Sequence, residues 1–130
     1  MSIKKHIRLT DCMLHDYIIA ALWSSTDGDD PLENNYDRHD IDEKTLDKMR
    51  ETCQEFLDDN VYIIDYLTSH DHQMSQIMYD FWLNCNGHGC GFWDGDYPEE
   101  IGEILDTYCD DVGESYLEVF SGVIYLQGEY

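Results

Sequence analysis

The stretch that decides the fold runs from Pro98 to Leu126. It reads PEEIGEILDTYCDDV over Pro98–Val112, and YLEVFSGVIYL over Tyr116–Leu126 after a three-residue link. Pro98 followed by Glu99 and Glu100 predicts a helix start. Proline suits an early helical position, and acids there complement the helix dipole. Ile101, Ile104, Leu105, Tyr108 and Val112 return every three or four residues, so the helix is expected to bury that stripe. The second part predicts two strands around Ser121-Gly122, a pair suited to a tight hairpin turn. A helix followed by a hairpin places the chain in the α+β class.

Working outward, Thr10 or Asp11 can cap a helix running to about Ser25, with Met13, Leu14, Tyr17, Ile18, Ala21 and Leu22 at helical spacing. Residues 24–31 are loop by composition. Asp42 is expected to cap a second helix to about Asp59, carrying Leu46, Met49, Cys53, Phe56 and Leu57 on one face. Val61 to Leu67 reads as helix, with a strand as the alternative. Tyr79 to Trp93 is aromatic and glycine-rich and reads as a β-hairpin, or a strand plus an ordered loop. The expected architecture is about three helices packed on a small antiparallel sheet of C-terminal hairpins, in one domain over residues 1–130.

A hydrophobic content of 42% and an aromatic content of 13% are too high for a disordered acidic tail. No run of about eighteen apolar residues suggests a membrane span. The first residues do not read as a signal peptide. Five cysteines (Cys12, Cys53, Cys85, Cys90, Cys109) follow no framework spacing, which predicts reduced thiols in a cytoplasm.

Charge is the strongest compositional signal. The formal net charge is -22 on 130 residues, and all seven basic residues lie within the first fifty positions. Residues 51–130 carry eighteen acids and no lysine or arginine, which predicts one uninterrupted negative face there. Such a field repels nucleic acid and anionic membranes and favours a basic protein surface or cations. Glu99, Glu103, Asp106 and Asp110 stand at i, i+4, i+7 and i+11 of the predicted helix. With a rise of about 1.5 Å per residue, a carboxylate recurs roughly every 5–6 Å. The axial rise between DNA phosphates is of similar scale, about 3.4 Å per strand. Like charges at this spacing cost roughly a few tenths of a kcal/mol per pair, and no lysine relieves them. A solvated helix face is the bland reading of this pattern. The total absence of bases favours a charge array that meets a partner, with Asp94 and Asp96 beside it.

The segment Asn86–Asp96 is the other distinctive stretch. If extended, Gly87, Gly89 and Gly91 share one face and His88, Cys90 and Phe92 the other. Glycine on one face admits a close backbone or a flat ring. A packed hairpin is the structural reading, and a pocket formed by His88 with Trp82 or Trp93 is the functional one. Cys85, His88 and Cys90 form one irregular cluster that lacks the paired spacing of a zinc site. The Asp27-Gly-Asp-Asp and Asp94-Gly-Asp runs fail the calcium-loop pattern. No metal or cofactor is therefore expected. No spacing signature links a cysteine or serine to a histidine and a carboxylate, so an enzyme is the weakest reading.

The sequence resembles a family of small acidic proteins encoded by tailed bacteriophages. The resemblance rests on Ala21-Leu-Trp-Ser-Ser-Thr-Asp27, Pro31-Leu32, Asn35-Tyr36, Asp40-Ile41 and Gly122-Val-Ile-Tyr125. It is strongest in Asp80-Phe-Trp-Leu83 followed by Asn86-Gly-His-Gly-Cys-Gly-Phe-Trp-Asp-Gly-Asp96, an FWL…NGHG.GFWD pattern. Relatives tend to carry a basic residue where this chain has Cys85. The resemblance implies phage origin and expression in a host bacterial cytoplasm, and implies no mechanism. Together with the charge it leads to one expectation: binding to a basic, nucleic-acid-binding host protein by DNA mimicry. The alternatives are a binding module with a small-molecule or peptide pocket at the Asn86–Asp96 segment, or a small enzyme.

Overall fold

A computed structural model describes residues 5–87, 91–92 and 96–127. The elements are α1 (Asp11–Ser24), β1 (Thr26–Asp27), β2 (Asp30–Pro31), α2 (Glu43–Asp59), α3 (Val61–Ser69), α4 (Met74–Cys85), α5 (Glu99–Val112), β3 (Leu117–Phe120) and β4 (Val123–Leu126). Short 3₁₀ turns at Leu32–Asn34 and Arg38–Asp40 bridge β2 to α2. The class is α+β. Among the described residues there are five α-helices, two more than expected, and the C-terminal β-structure is one two-stranded hairpin.

The caps fall where the sequence places them. The Thr10 hydroxyl accepts from the Met13 N–H at 3.3 Å and starts α1. Asp42 accepts from the Lys44 and Thr45 N–H groups and starts α2. Asn60 separates α2 from α3; it is buried, and its amide donates to the Phe56 carbonyl at 3.0 Å. The hairpin turn at Ser121-Gly122 has φ of 53° and 79°. Two successive positive values fit the twist of the flanking strands.

The reading of Tyr79–Trp93 as β-structure is corrected. Met74–Cys85 is helix α4, and Ile77, Met78, Phe81 and Trp82 are fully buried along it. Aromatic residues suit strands only because strands offer half-buried faces. A helix surrounded by other elements offers the same burial. At the described glycines, φ is 68° at Gly87 and 108° at Gly91, so the segment is not regularly extended there.

The buried residues form one cluster. Helix α1 lies most extensively against α4, where the Tyr17 ring meets Phe81 at 5.5 Å and Trp82 edge-on at 5.4 Å. Phe56 of α2 stacks on Phe81 at 3.9 Å. The hairpin contributes Leu117 and Ile124 to the same core. It is tied to the start of α2 by three links. Ile41 bridges Ile124 in parallel, the Ile124 carbonyl accepts from the Asp42 N–H at 2.9 Å, and the Leu126 N–H donates to Thr45 Oγ1 at 3.1 Å.

Candidate functional site

The acidic helix α5 is built on a glycine. A Cβ on Gly102 would lie 2.7 Å from the Phe92 carbonyl oxygen, so that backbone rests directly on the helix. Gly102, Leu105 and Cys109 are the buried face. The expected stripe is corrected: Leu105 is buried, but Ile104 is 50% exposed and Val112 39%. At roughly 100° per residue the helix is turned by about a quarter turn from the orientation its large apolar residues predict.

That rotation decides which acids face outward. Glu99, Glu103 and Asp110 are exposed, as expected, together with Glu100 and Asp111. Asp106 is half-buried, and its Oδ1 accepts from Asn84 Nδ2 of α4 at 2.9 Å. It is a structural link more than a member of the outer array. Glu100 and Asp111 replace it. Among the described residues none of these five exposed acids makes an ion pair. Asp110 and Asp111 also stand in the last turn, where the dipole disfavours negative charge and no base is present.

The array continues towards α2 through a groove of about 400 Å³ lined by Thr52, Glu55, Tyr108, Asp111 and Val112. The Tyr108 hydroxyl donates to Asp59 Oδ2 at 2.8 Å. Burial, this bond and the nearby Glu55 charge push the Tyr108 hydroxyl above the usual phenol range.

The expectation of one uninterrupted negative face over residues 51–130 is corrected on its other side. Lys5 pairs with Asp65 and His6 lies 3.5 Å from Asp58. The segment that carries them is held to α2, because Gln54 accepts from the Leu9 N–H and donates to the Ile7 carbonyl, both at 2.9 Å. Bases distant in sequence thus reach the α2–α3 side. Arg38 pairs with Asp11 and Arg50 with Asp47.

Of the pocket residues, His88 and Trp93 lie outside the described residues, as does Asp94; Asp96 is exposed. Trp82 is 1% exposed and belongs to the core. Its indole N–H donates to Ser24 Oγ at 2.8 Å, beneath a cleft of about 210 Å³ lined by Ser24, Thr26, Asn86, Ser115 and Tyr116 among others. Trp82 is itself among the residues that line this cleft. The described glycine Gly91 does admit a close backbone: a Cβ there would meet Asn84 Cβ at 2.8 Å and the Asp80 carbonyl at 3.0 Å. The backbone that approaches is that of helix α4.

The segment and the link after α5 are fastened to the end of α4 by polar side chains that spacing did not predict. Asp80 is buried and accepts from Gln76 Nε2 at 2.8 Å and from the Tyr97 hydroxyl at 2.6 Å. Asn84 Oδ1 accepts from the Phe92 N–H at 3.1 Å, and Asn86 Oδ1 from the Ser115 N–H at 2.8 Å. Buried carboxylates and amides need such partners, so a polar residue inside an apolar run was the available signal.

Among the described residues no group of three or more His, Cys, Asp or Glu is arranged to hold a metal. The Asp27–Asp30 run is a tight turn between β1 and β2. Cys12, Cys53, Cys85 and Cys109 are free thiols. The hydrogen bond with Cys109, then burial, push the Cys85 thiol up, and burial does the same to Cys53. High thiol values oppose nucleophilic use. Among the described residues no helix is long and apolar enough to cross a membrane. No protein-family model, curated protein or solved structure matches the chain.

Proposed function

We propose that this chain is a phage-encoded acidic protein that binds and inhibits a basic, nucleic-acid-binding protein of its bacterial host. It acts in the host cytoplasm by presenting carboxylates in place of DNA phosphates. The observation that carries the reading is the outer face of α5. Glu99, Glu100, Glu103, Asp110 and Asp111 are exposed without a described ion pair, and two of them oppose the helix dipole. An arrangement that costs helix stability is accounted for if a cationic partner neutralises it. The reading requires no bond making or breaking. Steering by the field speeds association with a basic surface.

The test is affinity capture from host lysate at low and high ionic strength, followed by competition with duplex DNA on the captured protein. The expected result is a basic nucleic-acid-binding protein whose retention falls steeply as salt rises and which duplex DNA displaces. Retention that is indifferent to salt and to DNA would overturn the reading.

A further inference from the structure

Resting on the function proposed above, we infer that the partner meets this chain with a cationic amphipathic helix, seated in the groove between α5 and α2. Ile104, Tyr108 and Val112 stand at i, i+4 and i+8 of α5. Successive members are about 6 Å apart along the axis and form one stripe. Ile104 and Val112 are exposed and Tyr108 is half-buried, because the orientation set at Gly102 turns this stripe out of the core. A cavity of about 320 Å³ opens beside Ile104, lined also by Glu103 and Thr107. The groove of about 400 Å³ at Tyr108 and Val112 continues the stripe towards α2.

The floor of the groove is fixed before any partner arrives. The Tyr108 ring lies 5.8 Å from the Phe56 ring of the core, and its hydroxyl is held by Asp59. The walls carry one sign. Asp111 stands on the α5 side and Glu55 on the α2 side. Both are exposed, and among the described residues neither makes an ion pair. Lys48, one turn before Thr52 on α2, does not line the groove. An apolar floor between acidic walls defines the occupant by charge. Aliphatic side chains cover the floor, and lysines or arginines on either flank meet the walls. A helix with an apolar ridge and basic flanks supplies both, and such a ridge packs into the groove between two helices. A bare run of lysines meets the walls and leaves the floor in water. An uncharged apolar helix covers the floor and sets the carboxylates against apolar surface, which costs free energy.

The probes are two synthetic peptides of one composition, leucine and lysine. In the first all leucines lie on one helical face; in the second their order is scrambled. Titration calorimetry with the full chain at low and high ionic strength compares them. The ordered peptide should bind roughly ten-fold more tightly, equivalent to about 1.4 kcal/mol. It should keep that advantage at high salt, which weakens the charge contacts of both peptides alike. Ile104→Gln and Val112→Gln, each at an exposed position, should reduce the advantage. Both variants should bind the scrambled peptide and melt as the parent does. Ile19→Gln, at an exposed position of α1, should leave the advantage intact. Equal affinities for the two peptides, or an advantage untouched by the α5 substitutions, would overturn this inference and leave the electrostatic reading standing. Failure of both peptides to bind at low salt would overturn the two together.

Discussion

The Phe92 carbonyl oxygen and the α-carbon of Gly102 are packed so closely that a methyl group on Gly102 would stand 2.7 Å from that oxygen. Two effects compete when alanine is introduced there. Helix propensity favours Gly102→Ala by about 1 kcal/mol. Overpacking opposes it by roughly 1–3 kcal/mol. The obstacle is backbone and cannot rotate away like a side chain, so overpacking wins. Thermal denaturation should show a lower midpoint for Gly102→Ala. A midpoint at or above that of the parent would mean that the Phe92 segment shifts without cost.

Tyr97→Phe should destabilise the fold by about 1–3 kcal/mol, because it removes a donor from a buried carboxylate. The bond is 2.6 Å, and both Asp80 and Tyr97 are buried. Gln76 is exposed, and Gln76→Ala should cost less. Urea unfolding midpoints compare the two, and equal losses would contradict the burial argument.

The acids of α5 should divide by position. Asp110→Asn and Asp111→Asn relieve an unfavourable dipole interaction in the last turn and should stabilise by about 0.3–1 kcal/mol each. Glu99→Gln removes a favourable one from the first turn and should destabilise by a similar amount. All three should slow association with a basic partner. Melting curves together with association rates would reveal the opposite signs for stability and the common sign for binding.

Alkaline pH should unfold the protein. Burial raises the Tyr17 hydroxyl well above its ordinary 10.0, with the three thiols nearby adding to the effect. The Cys53 and Cys85 thiols are raised above their ordinary 9.0. A group whose value is raised in the fold stabilises it fully below its unfolded value. As pH rises past that value the unfolded chain holds fewer protons than the native one, and stability falls until the folded value is reached. Melting temperatures should therefore be flat just below pH 9.0 with respect to these groups, then drop as the thiols and phenols successively ionise in the unfolded state. A flat profile through this range would contradict the burial of Cys53 and Tyr17.

Much of the fold was legible in the sequence. Thr10, Asp42 and Pro98 marked helix starts, and Ser121-Gly122 marked the hairpin, because caps and turns act through neighbours in the chain. Helix α4 was misread because its aromatic residues were credited to strands, when their spacing at Ile77, Met78, Phe81 and Trp82 already followed the helical period. The facing of α5 was hidden for another reason. Gly102 and Cys109 do not register as core residues in a count of large apolar side chains, yet a glycine under a crossing backbone sets the helix orientation. Three of the five exposed acids followed directly, since Glu99, Glu103 and Asp110 face outward. Glu100, Asp111 and the inward turn of Asp106 depended on that orientation. The pairing of Lys5 with Asp65 and the approach of His6 to Asp58 are tertiary events that no local pattern encodes.

The bond from the Leu126 N–H to Thr45 spans 81 residues and fastens the last strand to the first turn of α2. Closing so long a loop costs little more than closing a shorter one, because the penalty grows only with the logarithm of length. Timing is where the separation matters. During synthesis α2 leaves the ribosome long before residue 126 has been joined to the chain. The helices can collapse around Phe56 and Phe81 while Thr45 still lacks this contact. A translation product broken off before β4 would carry the acidic helix but leave Ile41, Asp42 and Thr45 without their bonds to that strand. Such a product would present an unfastened start of α2, which opens that segment to proteolysis.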